Sequence, residues 1–177
     1  ELSCALDKAL HDAFPDEDDI FEPACSTFEP TRRNANVPNV NTVPGRDVFC
    51  FDCRVLPHIP LQEVLKVIDA EIKKLRERRD VRITYRFLQK EQAPSKTPSD
   101  SPVGEMLREA IRDVYGLEPH VGGVGGWTCA KYFRDEGIPA AVWCQEADVA
   151  HMPNEYAEIE HMVNEAKVFA SMMMFKN

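Results

Sequence analysis

Three groups of residues in this sequence combine types and spacing that can do chemistry. The first is His151, in A-H-M-P-N-E-Y (150–156). It follows the acidic loop Q-E-A-D, with Glu146 and Asp148, and precedes the last helical pattern of the chain. An imidazole there can ligate zinc or titrate near neutrality, and it can equally do no more than close a loop. Zinc needs three or four protein ligands. His11, His58, His120 and His161 form no H-x-x-x-H or H-x-H pair, and the spacing of Glu146 and Asp148 to His151 matches no metal motif. The second group is the glycine cluster G-G-V-G-G-W-T, Gly122 to Thr128, read as ending a strand and opening a helix. It lacks the G-x-x-x-x-G-K and G-x-G-x-x-G patterns of phosphate loops, which leaves a backbone loop that a small substrate can approach closely. The third group is Asn41 and Arg54. Arg54 shares the polar side of V-F-C-F-D-C-R-V-L with Asp52, opposite Phe49, Phe51 and Val55. Its planar fork can hold a carboxylate by two hydrogen bonds, or it can pair with Asp52 or with solvent. Asn41, in the turn before, can add an amide donor.

These residues need elements to position them. Leu2, Ala5, Leu6, Ala9, Leu10 and Ala13 make a helical stripe that ends near Pro15. Two extended segments follow, Cys25 to Asn36 and Arg46 to Leu56, joined through a stretch containing the turn signal Pro44-Gly45. A second helix starts at about Pro60, with Leu61, Val64, Leu65, Ile68, Ile72 and Leu75 at helical spacing. Val81, Ile83, Tyr85 and Phe87 then alternate with Arg82, Thr84 and Arg86, as in a half-exposed strand. The order α-β-β-α-β, with one strand added in front, is the ferredoxin-like β-α-β-β-α-β sandwich. That strand is expected to precede Glu1, since the first helical stripe is already running at the first residue.

Ala93 to Pro102, A-P-S-K-T-P-S-D-S-P, has linker composition and divides the chain into residues 1–93 and 94–177. Beyond it, Met106, Leu107, Ala110, Ile111 and Val114 form a helix, and another runs from about Thr128 to Glu136. Ile138 to Trp143 is apolar on both faces, as a buried parallel strand is. Ile159, Met162, Val163, Ala166, Ala170 and Met173 mark a final amphipathic helix. The second half therefore reads as α/β, with too few strands for a whole sheet. In such folds ligands collect beyond the carboxyl ends of strands, where His151 falls.

Bulk properties exclude some partners. The formal net charge is -9 over 177 residues, and no basic stripe offers a nucleic-acid surface. The one basic cluster, Lys73 to Arg79, closes a helical pattern, where it complements the dipole. No apolar run reaches a membrane span and none reads as a leader. Cys50 and Cys53 form a C-x-x-C inside a strand, on opposite faces, without a second pair to complete a zinc site. Unpaired cysteines fit a reducing, cytoplasmic setting.

Taken in order, N-V-N-T-V-P-G-R-D-V-F-C-F-D-C-R-V-L-P, G-G-W-T-C-A-K-Y-F-R-D-E-G-I-P-A-A-V-W and A-H-M-P-N-E-Y-A-E-I-E resemble the dinuclear-zinc hydrolases. That family includes aminoacylase, acetylornithine deacetylase, succinyl-diaminopimelate desuccinylase and glutamate carboxypeptidase, and the likeness covers essentially the whole chain. It implies a zinc-binding α/β domain interrupted by a ferredoxin-like lid that often makes a homodimer. Residues 1–93 would be the lid without its first strand, and 94–177 the C-terminal part of the zinc domain. The resemblance further implies His151 as the final zinc ligand, with Asn41 and Arg54 holding a substrate carboxylate. Gly125, Gly126 and Thr128 would line the substrate site; Trp127 departs from the glycine usual in relatives. The remaining metal ligands, the general base and a lid histidine would lie upstream of Glu1. The expected activity is metal-dependent cleavage of an N-acyl amino acid or short peptide, with two zinc ions, or cobalt, in the full-length enzyme. The piece itself would be inactive and would hold no metal tightly. The alternative is a non-catalytic ferredoxin-like dimerisation or regulatory module, and the sequence upstream of Glu1 discriminates between the two.

Overall fold

The computed structural model describes residues 1–34, 37–147, 149–150 and 152–174. Their contacts divide into two compact units. The first holds Glu1–Ala93 and Gly123–Gly126, and the second holds Pro94–Gly122 and the chain from Trp127 on.

In the first unit, helix α1 (Leu2–Ala13) buries Leu6 and Leu10, four residues apart on one face. Strands β1 (Thr27–Asn34) and β2 (Val48–Arg54) form an antiparallel hairpin in which Thr27 faces Arg54 and Glu29 faces Asp52. The register slips between Pro30 and Arg32, where proline has no N–H to give to the ladder. Helix α2 (Leu61–Arg78) opens after Pro60 and buries Val64, Ile72 and Leu75. Leu6, Leu10, Phe28, Leu56, Ile59 and Val64 make the core, with Phe49, Phe51, Cys53 and Val55 packed against it from β2 and the residue after it. Ser26 is buried there because its Oγ accepts the Leu56 N–H at 3.0 Å. The chain after α2 is tied back by Gln92, whose Oε1 accepts the Leu61 N–H at 2.9 Å and whose Nε2 donates to the Ile59 carbonyl at 3.2 Å.

In the second unit, helix α3 (Pro102–Tyr115) is capped by Ser101, whose Oγ accepts the Gly104 N–H at 3.4 Å, and is closed by Gly116 at φ 64. A short helix α4 (Ala130–Asp135) follows, and α5 (Ile159–Met174) packs on α3. Leu107, Ala110, Ile111 and Val168 form this core, flanked by Val114, Tyr115, Trp143 and Met172.

Four expectations from the sequence fail among the described residues. Val81–Phe87 belongs to no strand, and β1 and β2 are the only strands among the described residues. A strand is completed by a neighbouring strand, and among the described residues only β1 and β2 pair. Ile138–Trp143 is neither a strand nor buried, with Ile138 52% and Val142 41% exposed. A parallel strand needs parallel neighbours. What holds this stretch instead is Thr97, which donates to the Ala140 carbonyl at 2.9 Å and accepts the Ala140 N–H at 3.1 Å. No strand precedes the glycine cluster either. On α5, the side turned to α3 carries Val168 and Met172, while Ile159, Met162, Val163 and Met173 of the expected apolar stripe are exposed.

Candidate functional site

Arg54 closes β2. Strand alternation turns Phe49, Phe51 and Cys53 to the core and leaves Cys50, Asp52 and Arg54 on the opposite face. The Arg54 Nε donates to Asp52 Oδ2 at 3.0 Å. Its Nη1 donates to the Gly125 carbonyl at 3.3 Å, across 71 positions of sequence. Both ends of the ion pair stay wet, with the side chains of Arg54 and Asp52 64% and 49% exposed.

The glycine segment reaches Arg54 because 123–126 packs with the first unit. The Gly123 N–H donates to the Ile20 carbonyl at 2.5 Å, and a Cβ on Gly123 would overlap the Phe21 ring. Glycine is needed at 123 for this close approach. Gly125 and Gly126 differ, since a Cβ on either would meet nothing within 4 Å. The space beside them is open, and packing does not account for their being glycine.

Asn41 is exposed on the loop between the strands, next to a turn in which the Thr42 N–H donates to the Asn39 carbonyl at 3.2 Å. A bidentate pair of Arg33 with Asp47, at 2.9 and 2.8 Å, clamps the base of that loop. Among the described residues no hydrogen bond joins Asn41 to Arg54 or to the glycine segment. Thr128 belongs to the second unit, where its carbonyl accepts the Lys131 N–H at 3.1 Å at the start of α4. The neighbouring Trp127 is half exposed and meets Tyr132 edge to face at 5.6 Å. The structure thus joins Arg54 with Gly125, and it leaves Asn41 and Thr128 each in its own surroundings.

His151 and Asp148 lie outside the described residues. Among the described residues no three His, Cys, Asp or Glu side chains are grouped to hold a metal ion. They do not by themselves meet the three or four protein ligands that zinc takes. No helix among them is long and apolar enough to cross a membrane.

Sequence patterning placed Arg54 beside Asp52 but gave no sign that Gly125 meets them, or that Phe21 fills the space over Gly123. Those contacts join segments tens of residues apart, and periodicity is blind to them; only the order of the motifs hints at them.

The described site is thus an exposed Arg–Asp pair on a hairpin, in contact with a glycine loop. Residues 8–174 match the profile of Peptidase family M20/M25/M40, and the chain belongs to that family. It is 38% identical over 167 residues to an uncharacterized metallohydrolase of Methanococcus maripaludis, an alignment covering 87% of this chain and 40% of that protein. It is 26% identical over 154 residues to a succinyl-diaminopimelate desuccinylase of Nautilia profundicola, again covering 87% of this chain and 40% of the relative. The crystal structure of an M20 family metallo-carboxypeptidase from Sulfolobus solfataricus superposes with a TM-score of 0.66 at 19% identity, over 88% of this chain and 36% of that one. The chain therefore spans about two fifths of the length of the curated relatives it matches. The family match runs through both units, which disfavours the reading of a stand-alone ferredoxin-like module.

Proposed function

We propose that this chain carries the carboxylate-anchoring part of a metal-dependent amide hydrolase whose substrate is an N-acyl amino acid or short peptide. The observation that carries the reading is Arg54. It is exposed, it is held at Nε and Nη1, and its Nη2 has no partner among the described residues. A planar guanidinium so placed suits a substrate carboxylate better than an ammonium would. Asn41 adds an amide donor from the loop, and Gly125 and Gly126 leave open space for the substrate backbone to approach. The desuccinylase name of one relative agrees with an acylated amino acid as substrate.

His151 serves as one ligand of the metal centre. Its partners and the general base come from the part of the relatives' length that this chain does not span. A metal such as zinc, held in part by His151, would supply an activated water and polarise the scissile carbonyl. What the residues of this chain do is fix the substrate by its carboxylate, so that the amide lies in reach of that water. The chain alone is inactive on this reading.

The test is Arg54→Ala in the full-length enzyme. KM for a substrate with a free carboxylate rises about ten- to hundredfold, as for loss of a charge-assisted hydrogen-bonded anchor. A KM equal to that of the parent enzyme would remove the anchor role.

A further inference from the structure

The pairing of Asp52 with Arg54 is poorly explained as a stability device. Both side chains are about half exposed or more, and surface pairs of this kind contribute little to folding. The hairpin register also sets Asp52 directly opposite Glu29, and like charges opposed across two strands are unfavourable. A carboxylate at 52 is thus a poor choice for the sheet, and its return has to be sought in what it does to Arg54.

A guanidinium on a flexible stem has five N–H donors and many rotamers, so an unrestrained arginine loses entropy each time it binds a carboxylate. Arg54 is restrained at two points. Residues two apart on a strand point to the same face, which brings Asp52 beside the Arg54 stem, and Oδ2 takes the Nε–H at 3.0 Å. The Gly125 carbonyl takes one N–H of Nη1 at 3.3 Å. Among the described residues three donors remain: the second N–H of Nη1 and both of Nη2.

We infer that Asp52 is a positioning residue. By holding Nε, with the Gly125 carbonyl at Nη1, it fixes the guanidinium plane so that the remaining donors meet the substrate carboxylate without a search. The proposal rests on the reading of Arg54 as the carboxylate anchor. The carboxylate of Asp52 also weakens the net positive charge of the site, so orientation and charge pull in opposite directions. An electrostatic role alone predicts tighter binding when Asp52 is removed, and a positioning role predicts weaker binding.

The experiment is steady-state kinetics of the metal-loaded full-length enzyme with Asp52→Ala, Asp52→Asn, Arg54→Ala and the double variant. Substrates are one carrying a free carboxylate and its amide. For Asp52→Ala, KM for the carboxylate substrate rises about three- to tenfold while kcat changes less than about twofold. Asp52→Asn keeps a side-chain oxygen for Nε–H and stays within about twofold of the parent. Asp52→Ala adds nothing in the Arg54→Ala background, and nothing on the amide substrate. Asp52→Ser, whose hydroxyl ends one bond short of the Oδ2 that takes the Nε–H, supplies a second truncation and is expected to follow Asp52→Ala. A KM for both truncations that is unchanged or lower overturns the inference, as does an Asp52→Asn variant as impaired as Asp52→Ala. If those results come with a raised KM for Arg54→Ala, the anchor reading survives and only the positioning role falls. If Arg54→Ala itself leaves KM unchanged, both fall together.

Discussion

At the scale of single residues, β2 shows how far a period of two reaches. The alternation that sets Arg54 outward sets Cys53 inward, and this has a chemical signature. Burial, with the charge of Asp52 adding to it, pushes the Cys53 thiol up to about 11 from its ordinary 9.0. The folded protein thus disfavours the thiolate. The stability linked to this group is complete below pH 9 and is lost as pH rises toward 11. At pH 8, Cys53 is expected to alkylate at least about tenfold more slowly than the exposed Cys4, Cys25 and Cys129, because only the thiolate reacts. Denaturant should abolish the difference. Peptide mass spectrometry after timed iodoacetamide treatment reads both rates, and equal labelling in the folded protein would contradict the inward placement. The faces of residues 49–55 were legible in the sequence because neighbouring side chains decide them. The bond from Arg54 to Gly125 was not, since nothing local to either residue encodes the other.

At the scale of elements, the division between what was legible and what was not follows hydrogen bonding. A helix satisfies its backbone within itself, so its apolar period and caps are enough to locate it. Among the described residues the five helices fall where the apolar stripes and Pro60 put them, within a few residues. A strand is completed by another strand, so the same quality of pattern gave β1 and β2, which pair, and failed at 81–87 and 138–143, which do not. Burial is likewise a property of pairs. The stripe on α5 was read correctly as apolar, yet α3 packs against a different face of that helix. Gly116 offers a test of the local part of this account. It closes α3 at φ 64, where a side chain is strained, and its N–H donates to the Arg112 carbonyl at 2.8 Å. Gly116→Ala should cost about 1 kcal/mol. Gly45→Ala, at a position with no positive φ and nothing within 4 Å, should lie within about 0.5 kcal/mol of the parent. Chemical denaturation of the two variants makes the comparison, and equal losses would mean that the cap conformation is not what Gly116 supplies.

At the scale of the whole molecule, two small cores carry the chain, and much apolar surface is left over. Met173 is 85% exposed, Ile159 78% and Leu88 76%, on segments whose patterning asks for cover. The chain spans about two fifths of its relatives' length. The same arithmetic bears on the metal. A zinc site takes three or four protein ligands; on the proposed function this chain supplies one, His151, and the described residues offer no group of three. A single imidazole binds zinc weakly, because most of the site's affinity comes from several ligands held together and deprotonated at once. The 177-residue chain, loaded with zinc and dialysed against metal-free buffer, should therefore retain far less than one ion per chain, with His151→Ala retaining the same. On the proposed function, a full-length protein treated identically should keep about two ions. Atomic absorption on the three samples measures this directly. One firmly held zinc in the short chain that disappears in His151→Ala would show that the ligand set is already complete within these residues, and the division of the metal centre between parts of a longer chain would have to be given up.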